Sequence, residues 1–225
     1  MATRADPTAE RRVPLTRERV LRAAVELADR DGIDALSMRR LGQELDVEAM
    51  ALYRHVRNKD DILDGIVEVV VAEIELPPSG DDWKAALRRQ VMAARTSMLR
   101  HTWAPRVLEE RGTAGPATLA YIESILAILR GGGFSLDMAH HALHVLGSRI
   151  LGFNQDLFDD SGDARPDPET AALQAQALAG RFPNIAELTV AASHDGDLGG
   201  CDDDFEFAFG LDLILDGLDR LRGTS

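Results

Sequence analysis

The stretch from Ser37 to Val56 holds the residues whose types and spacing best suit a chemical task. Leu41, Leu45, Val47, Leu52 and Val56 recur at the intervals that lock two short helices around a tight turn. That locking turns Ala49, Met50, Ala51, Tyr53, Arg54 and His55 outward. A helix held this way fits the DNA major groove and presents its first residues to base edges. Arg54 suits bidentate pairing with guanine, while Ala49, Met50 and Ala51 suit apolar contact with thymine methyl groups. Tyr53, His55, Arg39 and Lys59 suit phosphates, which fix orientation without reading sequence. Ser37 joins this set because it opens a helix whose first N–H groups point at such an anion.

The elements that must position these side chains read as helices throughout. Apolar residues recur at a 3.6-residue period, and alternating strand patterns are nearly missing, so the expected fold class is all-α. Thr16 fits an N-cap, with Leu15 and Val20 spaced as a hydrophobic staple, and Gly32 stops the first helix. Ser37 caps a second helix to about Leu45, and a third is expected from Glu48 to Val56. Asn58 caps a fourth, to about Leu76, with Asp60 and Asp61 complementing its dipole. Three short helices bury too little surface to stand alone, so they should lean on the fourth helix and the rest of the chain. Beyond Pro77 the helices lengthen: one bears Trp83, Leu87, Val91, Ala94 and Met98, and another Leu119, Ile122, Ile125, Leu126 and Leu129. Ser135 caps a helix to about Leu157, and Pro168 opens one that Gly180 closes. The last helix, Phe205 to about Leu221, is apolar nearly all round and should be buried on most sides, in the core or at a subunit interface.

Charge follows the same division. The chain has 225 residues and a net charge of −13 from 25 basic and 38 acidic residues. Residues 1–60 hold 12 basic and 11 acidic residues, a sum of +1, so the acidity belongs to the remainder. A nucleic-acid surface near the N-terminus is therefore compatible with an acidic whole. The domains expected are a tail at 1–14, a helix-turn-helix DNA-binding domain at 15–61, and a ligand-binding and dimerisation domain at 62–225. The single Cys201 excludes an intrachain disulfide, and no secretory signal or membrane span is apparent. A cytoplasmic protein is expected. No nucleophile–base pair, phosphate loop or metal-ligand set is visible, so neither an enzyme nor a cofactor is expected. His140 and His144 share a helix face, but without a third ligand the pair reads as packing or interface.

From Leu15 to Leu63, and most specifically through Leu52, Tyr53, His55, Val56, Asn58 and Lys59, the sequence resembles the tetracycline-repressor (TetR) family of bacterial transcriptional regulators. A second resemblance, to the ligand-binding domain of the tetracycline-repressor subgroup, lies in Met98–Trp103, Gly133–Leu136 and Phe205–Leu218. It implies a homodimeric repressor that binds palindromic double-stranded operator DNA and is released by a small-molecule effector. The alternatives are an activator of the same design and a helical enzyme with a vestigial helix-turn-helix. The family's DNA-contact positions fall on Arg39, Ala49, Met50, Ala51, Tyr53, His55 and Lys59, of which Ala49, Met50 and Ala51 depart in type and imply a different operator. Its ligand positions fall on Glu75, Gln90, His101 and Asp156, with Glu75 and Gln90 departing in type. In the subgroup a His and a Glu hold drug with magnesium; here His101 and Asp156 stand at or near those positions. Trp103, Phe134, Arg149 and Phe153 complete the candidate pocket. The resemblance also implies pairing of the last helix and the long helix before the acidic loop across a dimer, through Leu143, Leu146, Ile150, Phe209, Leu213 and Leu218.

Overall fold

A computed structural model describes residues 14–76, 82–112, 114–152, 168–192 and 203–222. Among them there are eleven α-helices, one 3₁₀ turn at Ile33–Ala35 and no strand. The helices are α1 (Arg17–Asp31), α2 (Met38–Glu44), α3 (Ala49–Leu52), α4 (Lys59–Ala72), α5 (Trp83–Arg100), α6 (Ala104–Arg111), α7 (Pro116–Gly131), α8 (Leu136–Gly152), α9 (Pro168–Ala179), α10 (Pro183–Ala192) and α11 (Asp203–Leu221). No single described helix is long and apolar enough to cross a membrane. Packing groups the chain into two compact units, one drawn from 1–76 and 93–123, the other from 77–92 and 124–225.

In the first unit α1, α2 and α4 each start at a side-chain cap, whereas α3 opens at Glu48 without one. Thr16 accepts from the Arg19 N–H at 3.1 Å, Ser37 from Arg40 at 3.3 Å and Asn58 from Asp61 at 2.8 Å. The α1 stripe of Val20, Leu21, Ala24, Leu27 and Ala28 is buried, as are Leu41, Leu52, Ile62 and Ile66. Helices α1 and α4 approach so closely at Gly65 that a Cβ there would stand 2.5 Å from a Leu21 methyl. Residues after 61 share this unit, which gives the short helices the extra surface they need.

The second unit is centred on Trp83, whose ring meets Phe134 edge-on with centroids 4.8 Å apart. The Arg222 guanidinium lies 5.6 Å from the same indole. Ser135 accepts from the Met138 N–H at the start of α8. Ala139, Ala142 and Leu146 of α8 are buried, together with Phe207, Leu211, Leu215 and Leu218 of α11. Helices α9 and α10 pack on each other, with Ala175 and Ala186 buried.

Several elements differ from expectation. α3 is a single turn rather than a helix to Val56; after it the N–H groups of Arg54 and His55 bond three residues back, tightening the chain towards 3₁₀ geometry. α4 ends at Ala72, and α6 and α10 were not foreseen. α11 is two-faced in the single chain: Phe207, Leu211, Leu215 and Leu218 are buried, whereas Phe205, Phe209 and Leu213 are exposed. Leu146 and Leu218, expected at a subunit interface, are instead buried in the chain's own packing, because they fall on the inward stripes of α8 and α11.

Candidate nucleic-acid interface

The turn between α2 and α3 is built on two backbone constraints. Asp46 adopts φ +52°, a left-handed conformation that an Asp tolerates better than most residues. Gly42 supplies the other: the Val47 N–H bonds to its carbonyl at 2.9 Å, and a Cβ at 42 would lie 2.9 Å from Val47 O and 3.2 Å from Ala49 N. Only glycine lets the turn backbone lie this close to α2. Leu41 and Leu52 are fully buried beneath it, and Leu45 and Val56 nearly so.

On the outer side Met50 is 74% exposed and Tyr53 47% exposed. Arg39, Arg54 and Lys59 are exposed, His55, Ala49 and Ala51 partly so. The cations of this unit sort into two groups. Arg17, Arg30 and Arg40 hold Asp61, Glu44 and Asp31, at 3.0, 2.9 and 2.7 Å. Arg39, Arg54 and Lys59, the cations that the sequence pattern assigns to DNA, have no ion-pair partner among the described residues. Ser37 accepts the α2 cap bond with its hydroxyl oxygen, and its O–H can still donate outward.

Sequence reasoning missed the residue that fixes the loop carrying this surface. The Asp61 carboxylate accepts from both Arg17 nitrogens at 3.0 Å and from the Arg57 N–H at 2.8 Å. Arg17 also donates to the His55 carbonyl at 3.2 Å. These hydrogen bonds, Arg17's first, hold the Asp61 carboxyl at about 2, below its ordinary 3.8 and against the effect of burial. One carboxylate thus joins α1, the α3–α4 loop and α4. The sequence signal was Asp61 in the first turn of a helix, which explains a dipole contact but not an arginine 44 positions away.

The eight residues expected to bind a ligand are divided between the units. Glu75, His101 and Trp103 lie in the first; Gln90, Phe134 and Arg149 lie in the second; Phe153 and Asp156 fall outside the described residues. Glu75 is exposed. The Asp29 carboxylate accepts from Trp103 Nε1 at 2.7 Å and lies 2.8 Å from His101 Nδ1, while His101 Nε2 is 3.3 Å from Glu73. Gln90 is fully buried and accepts from the Ser124 hydroxyl at 3.0 Å. Arg149 lies over the Phe207 ring at 4.8 Å and donates to the Glu206 carbonyl at 2.6 Å. Both nitrogens of His101 face carboxylates of its own unit. Among the described residues no group of three or more metal-ligating side chains is arranged to hold an ion.

Comparison with known proteins decides the family. Residues 76–222 match the profile described as tetracyclin repressor-like, C-terminal domain, and residues 20–66 that of bacterial regulatory proteins, tetR family. The chain belongs to the TetR family. A TetR-family relative, the HTH-type transcriptional repressor DrrR1 of Streptomyces coeruleorubidus, is 34% identical over 94% of this chain and 81% of its own length. The class D tetracycline repressor protein of Escherichia coli is 35% identical over 61% of this chain and 64% of its own. Among solved structures, the TetR family protein ActR of Streptomyces coelicolor in complex with actinorhodin superposes with a TM-score of 0.70 at 30% identity, covering 94% of this chain and all of that one. This TetR-family chain is thus an all-α transcriptional regulator with an N-terminal helix-turn-helix and a larger helical region.

Proposed function

We propose that this protein is a homodimeric repressor that binds a palindromic double-stranded DNA operator and is released by a small-molecule effector. The observation that carries the DNA reading is the sorting of cations: the helix-turn-helix arginines away from the reading surface are engaged by carboxylates, and Arg39, Arg54 and Lys59 stand exposed around Tyr53 and Met50. In this reading residues 15–61 are the DNA-binding domain. Arg54 reads a base, Ala49, Met50 and Ala51 make apolar contacts, and Ser37, Arg39, Tyr53, His55 and Lys59 set the register on phosphates. Residues 62–225 bind effector and partner. The apolar face of α11 that the single chain leaves open, with Phe209 and Leu213 each 54% exposed, supports pairing of two copies. Effector binding is supported by ActR, solved with actinorhodin, and by the tetracycline repressors among the relatives. The effector biases a two-state dimer towards the half-site separation that DNA does not fit.

A gel-shift titration on the promoter beside the gene tests this. Tyr53→Ala combined with Lys59→Ala should weaken operator binding and flatten its salt dependence by about one unit of slope for each phosphate no longer held. Unchanged affinity and slope in the double variant would remove both residues from the interface.

A further inference from the structure

Glu48 lies in extended backbone, at φ −62° and ψ 139°, between the turn at Asp46 and α3, and it is exposed. Its carbonyl accepts from the Ala51 N–H at 2.8 Å, which fixes the backbone there. Ser37 and Asn58 hold the corresponding positions before α2 and α4, and each spends its side chain on the N–H three residues on. Glu48 makes no such bond, and its carboxylate has no hydrogen bond or ion pair among the described residues. Other carboxylates of this unit are held: Asp31 by Arg40, Glu44 by Arg30 and Asp61 by Arg17. An acceptor that the chain itself does not use thus stands on the outer surface, directly before Ala49 and Met50.

We propose that Glu48 is a specificity-determining residue that accepts a hydrogen bond from the N4 amino group of a cytosine in the major groove. The inference rests on the DNA reading given above. A carboxylate set against a duplex is repelled by the phosphates, and a donor on a base edge is what offsets that repulsion. In the major groove the donors are the amino groups of cytosine and adenine. Adenine places its acceptor N7 beside the amino group, where it opposes the second carboxylate oxygen; the cytosine edge carries no such acceptor. Guanine and thymine offer acceptors only, apart from the thymine methyl, and are rejected. Glu48 therefore works in two directions, favouring one base and repelling others. It also adds polar discrimination beside Ala49 and Met50, whose side chains carry no hydrogen-bonding group of that strength.

The experiment is selection of duplexes by the full-length chain from a randomised double-stranded pool, followed by gel shifts on the selected sequence at one fixed salt concentration. Wild type should select a cytosine at one position of each half-site, and replacing it by guanine or thymine should weaken binding by about fivefold or more. Glu48→Ala should select the same sequence except at that position, where it becomes indifferent. Glu48→Gln should turn the position towards adenine, whose N6 and N7 an amide meets with one acceptor and one donor. Both variants should keep the wild-type circular dichroism and melting temperature, because the carboxylate makes no bond within the described chain. Sequence-specific selection that Glu48→Ala leaves unchanged at every position, or a lost preference for any base other than cytosine, would overturn this inference alone. A pool from which wild type recovers no preferred sequence would overturn the DNA reading and this inference with it.

Discussion

The two compact units of this protein leave different chemistry on their surfaces. The first joins its helices by charged side chains: Arg17 to Asp61, Arg30 to Glu44, Arg106 to Asp34 and Arg111 to both Asp60 and Asp64. What it exposes around the recognition turn is polar or charged, with the carboxylates Asp46 and Glu48 beside the cations Arg39, Arg54 and Lys59, apart from Met50. The second buries an aromatic centre at Trp83 and Phe134, yet exposes Leu136, Val145, Phe205, Phe209 and Leu213 along α8 and α11. Exposed cations are comfortable in water; a row of exposed phenylalanines and leucines on adjacent helices is not. The difference separates a surface ready for a polyanion from one that a single chain leaves uncovered.

The largest expected effect breaks that second surface. Phe209→Asp with Leu213→Asp should dissociate the proposed dimer, raising its dissociation constant by at least roughly 100-fold, on the basis of about 2 kcal/mol or more per central hydrophobic anchor. Sedimentation velocity reads this directly, and a dimer of wild-type affinity would show that α11 is covered by something else. Next in size is the turn. Gly42→Ala places a methyl against backbone atoms that cannot swing aside, and should destabilise the fold by about 1–3 kcal/mol in denaturant melts.

The Asp61 pin gives a smaller effect with a pH signature. Its folded carboxyl titrates at about 2 against an ordinary 3.8, so the ionised form contributes stability that is fully present above about pH 4. That contribution fades as the pH falls from about 4 towards 2. Asp61→Asn should therefore cost about 1–2 kcal/mol at pH 7, discounted because Arg17 is half exposed, and the gap to wild type should close near pH 2. A gap constant with pH would mean that Asp61 acts by shape alone. Smallest of all, Lys84→Ala removes an exposed ion pair with Asp216 and should leave the melting temperature unchanged within error.

How much of this was legible in the sequence depended on distance along the chain. The caps at Thr16, Ser37 and Asn58 were readable because a cap is satisfied within three residues. The exposure of Arg54 was readable from local spacing, although the residue lies in the turn after α3 rather than on the helix that the spacing predicts. α6 was missed because it opens at Trp103 with no side-chain cap and runs for only eight residues. The Asp61–Arg17 pin and the buried contact of Gln90 with Ser124 join residues 44 and 34 apart, and composition carries no trace of such pairs. On α11 the apolar count was right, but which half faced inward depended on packing partners such as Arg149, which lies over Phe207.

A recognition segment of one helical turn has a consequence for how such a regulator evolves. Met50 is mostly exposed, while Leu52, two positions on, is locked in the core. Substitutions at 50 are therefore nearly invisible to folding, and those at 52 are not. Under the proposed reading, in which the outward residues meet DNA, a lineage carrying this scaffold changes its binding-site preference through the outward letters, with selection on stability keeping the inward ones in place.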